Sequence, residues 1–154
     1  MDLSTILKPE AVRVVTAASS KKRLLQEFGD LAESAYQLDA QTVVEALQER
    51  ENLGPTGVGH GVALPHARFD GLESVAGAFI LLEKPVDFNA VDRQPIDIAF
   101  ALFAPEEAGV EHLKALAKVS RKLRESAICA KLRANPDPTT LFTILTEGDT
   151  VQAA

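Results

Sequence analysis

The sequence predicts a single α/β domain in which helices flank a mixed β-sheet. Three observations carry this expectation. At 154 residues the chain fits one ordinary domain and is short for two. Helical and extended patterns are interleaved along its length. Two apolar stretches, Val75–Leu82 and Ile96–Ala104, follow one another with no helical pattern between them. Strands joined without a helical crossover are antiparallel neighbours, so the sheet is mixed rather than purely parallel.

Each element has a local reason. Met1–Pro9 reads as an entry segment, and the Val-rich run Ala11–Ala17 as a short strand. Ser19 and Ser20 offer N-cap hydroxyls to a helix whose apolar residues Leu24, Phe28, Leu31 and Ala35 recur at helical spacing. Asp39 caps a second helix with Val43, Val44 and Leu47 inward, ending in the charged turn at 48–52. Gly54, Gly57, Gly59 and Gly61 then punctuate eight residues, where the backbone can reach φ > 0 and approach other groups closely. Val62-Ala63-Leu64 extends the chain into Pro65-His66, the proline favouring an extended Leu64. The two apolar strands follow, with residues 84–88 and 92–95 as loop or hairpin connection. Helices are expected over about 106–124, 126–134 and 138–145, the last opened by Asp137-Pro138 as cap and first residue.

Composition excludes several function classes. Apolar residues make up 46% and charged residues 25%, so the chain is neither disordered nor fibrous. The run Val75–Leu82 is eight residues, against roughly 20 for a membrane span, and no basic, then apolar leader opens the chain. One cysteine, Cys129, allows no internal disulfide and fits a reducing cytoplasm. A net charge of −6 without tryptophan argues against a nucleic-acid partner, and no membrane insertion is expected.

Three histidines can be weighed singly. His66 follows Pro65 at the mouth of a glycine-rich loop, where a restricted backbone aims the ring and loop N–H groups are available to an oxyanion. The alternative is a loop-end imidazole that merely hydrogen-bonds a carbonyl. His112 heads the series His112, Leu116, Val119, Leu123, the inward stripe of its helix. That placement fits a satisfied core histidine, or a ring reaching His66 from beneath. His60, between Gly59 and Gly61, reads as surface. The glycine pattern follows a helix and leads into a strand, the reverse of a dinucleotide fingerprint, and no lysine for a P-loop occurs between Lys22 and Lys84. A catalytic metal on His60, His66, His112 and a carboxylate such as Asp70 is conceivable, but nothing in the spacing requires it, and no metal or cofactor is expected.

The segment from Arg50 to His66, RENLGPTGVGHGVALPH, resembles the active-site signature of enzyme IIA proteins of the fructose/mannitol type in the bacterial phosphotransferase system, most of all the nitrogen-regulatory branch. Further matches lie at Pro85-Val86-Asp87-Phe88, at Asp92 and Gln94-Pro95-Ile96-Asp97, and at His112-Leu113 with Leu116. The resemblance spans roughly residues 3–145 and places the domain at 3–147, with a C-terminal tail at 148–154.

By that resemblance His66 is the phosphoryl acceptor, through Nε2, and His112 is the second active-site histidine. Arg50 offsets phosphoryl charge, while Thr56, Gly57 and Gly59 bind the phosphoryl group. Pro55 stands where the family has serine, removing a hydroxyl and an N–H; no role is carried onto His60. The implied function is a cytoplasmic, regulatory phosphotransferase component. It takes phosphate from the nitrogen-branch histidine phosphocarrier protein and acts on partners such as kinases or potassium transporters according to its phosphorylation state. The alternative is a sugar-specific enzyme IIA that hands phosphate to an enzyme IIB.

Overall fold

A computed structural model describes residues 3–151 of the chain, with side chains through 147. A 3-10 turn at Leu3–Thr5 leads straight into β1 (Leu7–Val15), which therefore starts inside the expected entry segment. The strand reaches back because Ile6 and Leu7 are buried; Lys8, Pro9 and Glu10 are exposed at a break in its register, where a residue without an N–H is tolerated.

Helix α1 (Lys21–Tyr36) is capped by Ser20, whose hydroxyl accepts from the Arg23 amide, and it buries Leu24, Phe28, Leu31 and Ala35 as their spacing predicts. Helix α2 (Ala40–Leu53) is capped by the Asp39 carboxylate. The turn expected at 48–52 is instead its last helical turn. The inward series Val43, Leu47 continues at the same spacing to Glu51, so a carboxylate occupies the core-facing position, while Val44 is half-buried.

Two short strands, β2 (Gly57–Gly59) and β3 (Val62–Ala63), make a hairpin of the glycine stretch, and β4 (His66–Phe69) follows Pro65. Strands β5 (Ala76–Val86) and β6 (Ile96–Pro105) pair antiparallel, as their succession without a helix requires. The sheet order is β1-β5-β6-β3-β2, with β4 also on β6; β3 and β4 run parallel to β6 in succession, joined through Leu64-Pro65. Ala76–Leu82 and Ile98–Ala104 are buried at every position, so both faces of the central pair are covered. The mixed sheet flanked by helices is thus the architecture the sequence predicts.

Helix α3 (Val110–Leu123) begins four residues later than expected, because Gly109 at φ 51° breaks the backbone ahead of it. Helix α4 (Ser126–Ala134) matches its expected bounds. Helix α5 (Pro138–Val151) runs into the segment expected as a tail, and 152–154 lie outside the described residues. Helices α1 and α2 pack on β1, β5 and β4, while α3 lies on β6 and leads through α4 to α5, which returns to β1. Among the described residues no helix is long and apolar enough to cross a membrane.

Candidate functional site

The site is built where the β2–β3 hairpin, the Leu64-Pro65 link and the start of α3 converge. Gly59, His60 and Gly61 have φ of 102°, 57° and 78°, which folds the hairpin tip tightly. A side chain at Gly61 would also meet Arg133 Nη2 at 2.6 Å and Asp97 Oδ1 at 2.9 Å. Those two residues clamp the tip: Arg133 donates two bonds to Asp97 and one to the His60 carbonyl, each 2.9 Å. The His60 amide donates to Asp92 at 3.1 Å. Hydrogen bonds from the Gln94 and His60 amides hold the Asp92 carboxyl below the usual range. His60 is therefore a main-chain anchor, with its ring at the exposed tip.

From this anchored hairpin the chain delivers His66. Leu64 donates its amide to the Thr56 carbonyl and Leu102 donates to the Pro65 carbonyl, both 2.9 Å, fixing the link against β6. The His66 ring folds back so that Nδ1 lies 2.8 Å from the Leu64 carbonyl oxygen. A carbonyl can only accept, so Nδ1 carries the hydrogen and the lone pair of the neutral ring lies on Nε2. The two readings weighed for His66 are thus compatible: bonding a carbonyl is what selects the free nitrogen.

His112, in the first turn of α3, meets His66 edge-on with ring centroids 5.5 Å apart and planes at 71°. It is 6% exposed, and neither of its ring nitrogens has a hydrogen-bond partner. Burial first, then the nearby His66 and Arg68, push its pKa below the ordinary imidazole value. A buried polar ring without partners is costly in a structural core and is prepared for a ligand that brings hydrogen-bonding atoms.

Arg50, Thr56, Pro55 and His66 line one hollow of about 350 Å³, walled on the apolar side by Val58, Leu113 and Leu116. Arg50 uses Nη1 to cap α2 at the Gly54 carbonyl, 2.9 Å away, leaving the rest of its donor fork available. Thr56 is engaged on both counts: its amide donates to Glu51 at 3.2 Å and its hydroxyl donates to the same carboxylate. Glu51 in turn pairs with Lys21 at 2.8 Å, and the Lys21 ammonium sits 4.5 Å from the centre of the Phe88 ring. This buried network ties the loop to α1 and α2. Reading the sequence missed it, because Glu51 stands in a charged run that looks solvated and its partner lies 30 positions upstream.

The expected glycine positions separate from the rest. Gly57 lies in β2 against Ala90, where a Cβ would fall 2.7 Å from Ala90 Cβ, and Gly59 lines a neighbouring hollow; neither lines the one that holds His66. Among the described residues no group of three His, Cys, Asp or Glu side chains is placed to hold a metal ion.

Comparison with known proteins supplies a context for this geometry. Residues 5–148 match the family described as phosphoenolpyruvate-dependent sugar phosphotransferase system, EIIA 2. The chain is 42% identical over 145 residues to a nitrogen regulatory protein of Bradyrhizobium diazoefficiens, covering 94% of this chain and 95% of that one. The crystal structure of nitrogen regulatory protein IIA-Ntr from Neisseria meningitidis superposes with a TM-score of 0.86 at 39% identity, over 94% of this chain and 99% of that one. The fold also matches IIA mannitol from Escherichia coli, with a TM-score of 0.76 at 17% identity, over 90% and 98% of the two chains.

Proposed function

The chain belongs to the EIIA 2 family of the phosphoenolpyruvate-dependent sugar phosphotransferase system, and from that premise we propose that it is a cytoplasmic phosphohistidine carrier of the nitrogen branch. It accepts a phosphoryl group on His66 Nε2 from a histidine phosphocarrier protein, and its phosphorylation state controls which proteins it binds. The observation that carries this reading is the His66–His112 pair: one ring has its Nδ1 hydrogen fixed and Nε2 free, facing a buried ring with both nitrogens unpartnered. The regulatory assignment is supported by the relatives named as nitrogen regulatory proteins.

The transfer is an in-line exchange. The Nε2 lone pair of His66 attacks phosphorus while the P–N bond of the donor phosphohistidine breaks, its electron pair returning to the donor ring. Nδ1 keeps its hydrogen on the Leu64 carbonyl throughout. The product ring is thus substituted on one nitrogen and protonated on the other, which keeps the phosphoryl group transferable. Arg50 offers its remaining donors to the equatorial oxygens. His112, neutral at physiological pH, donates one N–H to a phosphoryl oxygen and gains a partner it lacks at rest. Thr56 acts through Glu51 by holding the loop in place, and Gly57 permits the close approach of β2 to Ala90.

Incubation with enzyme I, the phosphocarrier protein and phosphoenolpyruvate, followed by intact mass, tests the proposal. One acid-labile phosphoryl group on the wild-type chain, absent from His66→Ala, is expected. No modification from a competent donor, or equal modification of the variant, overturns it. Onward transfer of that phosphate to a sugar-specific enzyme IIB would replace the regulatory assignment with the transport one.

A further inference from the structure

Arg68 stands two residues beyond His66 on β4, the pair in register with Leu102 and Ala104 of β6, so both side chains leave the sheet on the same face. That is the face on which the His112 ring of α3 meets His66. Arg68 is exposed, but its guanidinium is tied down: Nη1 donates to the Glu106 carbonyl, 3.2 Å away. Glu106 lies in the link from β6 to α3. The Ala108 amide closes that link by donating to the Pro105 carbonyl, and the Glu111 amide donates to the Ala108 carbonyl, both at 3.1 Å. Gly109 interrupts it at φ 51°, and no side chain caps the start of α3. Arg68 thus fastens the strand that carries His66 to the link that aims His112.

Charge is a second, separate effect. After burial and His66, Arg68 is the group that disfavours a protonated His112. Few other charges bear on this ring. Strand β6 has no charged side chain from Ile98 to Ala104, and Leu3–Thr5 has none. On α3 itself, Glu111 and Lys114 are exposed and 4.0 Å from each other. Arg50, from α2, is held at the Gly54 carbonyl.

We propose that Arg68 is a positioning residue of the phosphoryl transfer, acting through His112: it staples the β6–α3 link that aims this ring and sets a permanent positive charge within electrostatic reach of it. The inference rests on the phosphocarrier reading and adds a residue to its machinery. A phosphoryl dianion on His66 favours a cationic His112. An imidazolium there would be a proton source beside an acid-labile P–N bond. A guanidinium supplies positive field without a proton to give, because it stays protonated throughout the working range.

The test compares wild type with Arg68→Gln and Arg68→Lys. The His112 ring is titrated by NMR in the unphosphorylated chain, its resonance identified by its loss in His112→Gln. Phosphoryl acceptance is measured with the small-molecule donor phosphoramidate, which needs no docking surface. In Arg68→Gln the His112 titration should move to higher pH, and kcat should fall about 10-fold with KM unchanged. The phosphorylated variant should also lose its phosphoryl group faster than wild type below about pH 7, where more of its His112 is protonated. Arg68→Lys, which keeps the charge and a donor for Glu106, should restore most of all three. Lys114→Gln, which removes an exposed cation from α3, should change none of them. A Gln variant with the wild-type titration and kcat overturns the proposal, and so does a Lys variant as impaired as the Gln one. The titration needs no phosphoryl donor, so it judges Arg68 independently of the carrier reading. If wild type takes phosphate from neither phosphoramidate nor the phosphocarrier protein, the carrier reading fails and the role of Arg68 in transfer falls with it.

Discussion

Removing the ammonium that partners Glu51 tests how the loop is held. Lys21→Met keeps an apolar stem and deletes the ammonium together with its contact over the Phe88 ring, leaving a carboxylate that is 1% exposed with only its two bonds from Thr56. At 2.8 Å the gross attraction is about 6 kcal/mol for an effective dielectric constant of about 20. Desolvation of both ions offsets much of that, and breaking such a pair from one side typically costs about 3–5 kcal/mol. Lys21 is itself 17% exposed, so part of its charge is solvated and the lower end applies, about 3 kcal/mol. For a chain of this length the midpoint of thermal unfolding should fall by about 6–12 °C. Urea unfolding of Lys21→Met, Glu51→Gln and the double variant supplies a full cycle. The double variant should recover stability relative to the sum of the singles, because the amide left at 51 is neutral and can still accept from Thr56. A loss below about 1 kcal/mol in Lys21→Met, or additive losses around the cycle, would refute the claim that this pair anchors the loop.

Two further predictions follow from particular contacts. The pKa of His112 is depressed on folding, chiefly by burial, so between its folded and unfolded values the unfolded chain binds more protons. Its contribution to stability is complete above the unfolded value near 6.5 and is lost as pH falls through the window below it. His112→Gln should therefore flatten the acid-side decline in urea stability below about pH 6.5, while slowing phosphoryl acceptance; an unaltered slope and rate would remove both roles. Gly57→Ala places a methyl group 2.7 Å from Ala90 Cβ and 2.9 Å from Ala90 Cα, and should cost about 1–3 kcal/mol by overpacking. Ala90→Gly should restore part of that in a thermal melt, since it relieves the first contact but not the second.

Much of the architecture was legible because its signals are local. Leu24, Phe28, Leu31 and Ala35 declare α1 by spacing alone, and Asp137-Pro138 declares the start of α5. The two apolar runs declare the central hairpin, and with it the mixed sheet. The start of β1 was not legible, because Lys8-Pro9-Glu10 interrupts its apolar pattern at the register break. Strand β4 has four residues, His66–Phe69, too few to display alternation. Within the site, the pairing of His66 with His112 could be anticipated from the helical stripe that begins at His112. The Lys21–Glu51–Thr56 network and the Arg133 clamp could not, since each joins residues distant in sequence whose types alone look like solvated surface.

The acceptor that orients His66 belongs to the main chain, and this sets a limit on how the site can be altered. A carboxylate in that place would hold the ring equally well, but it would put a fixed negative charge beside the phosphoryl group of the proposed transfer and would lose its grip when protonated. The Leu64 carbonyl does neither. No exchange of the side chain at position 64 can delete it, so the orientation of the His66 ring is indifferent to most mutations nearby. What that orientation does depend on is the extended path through Leu64 and Pro65, and a change that bends this path would misdirect the ring while leaving every side chain of the site in place.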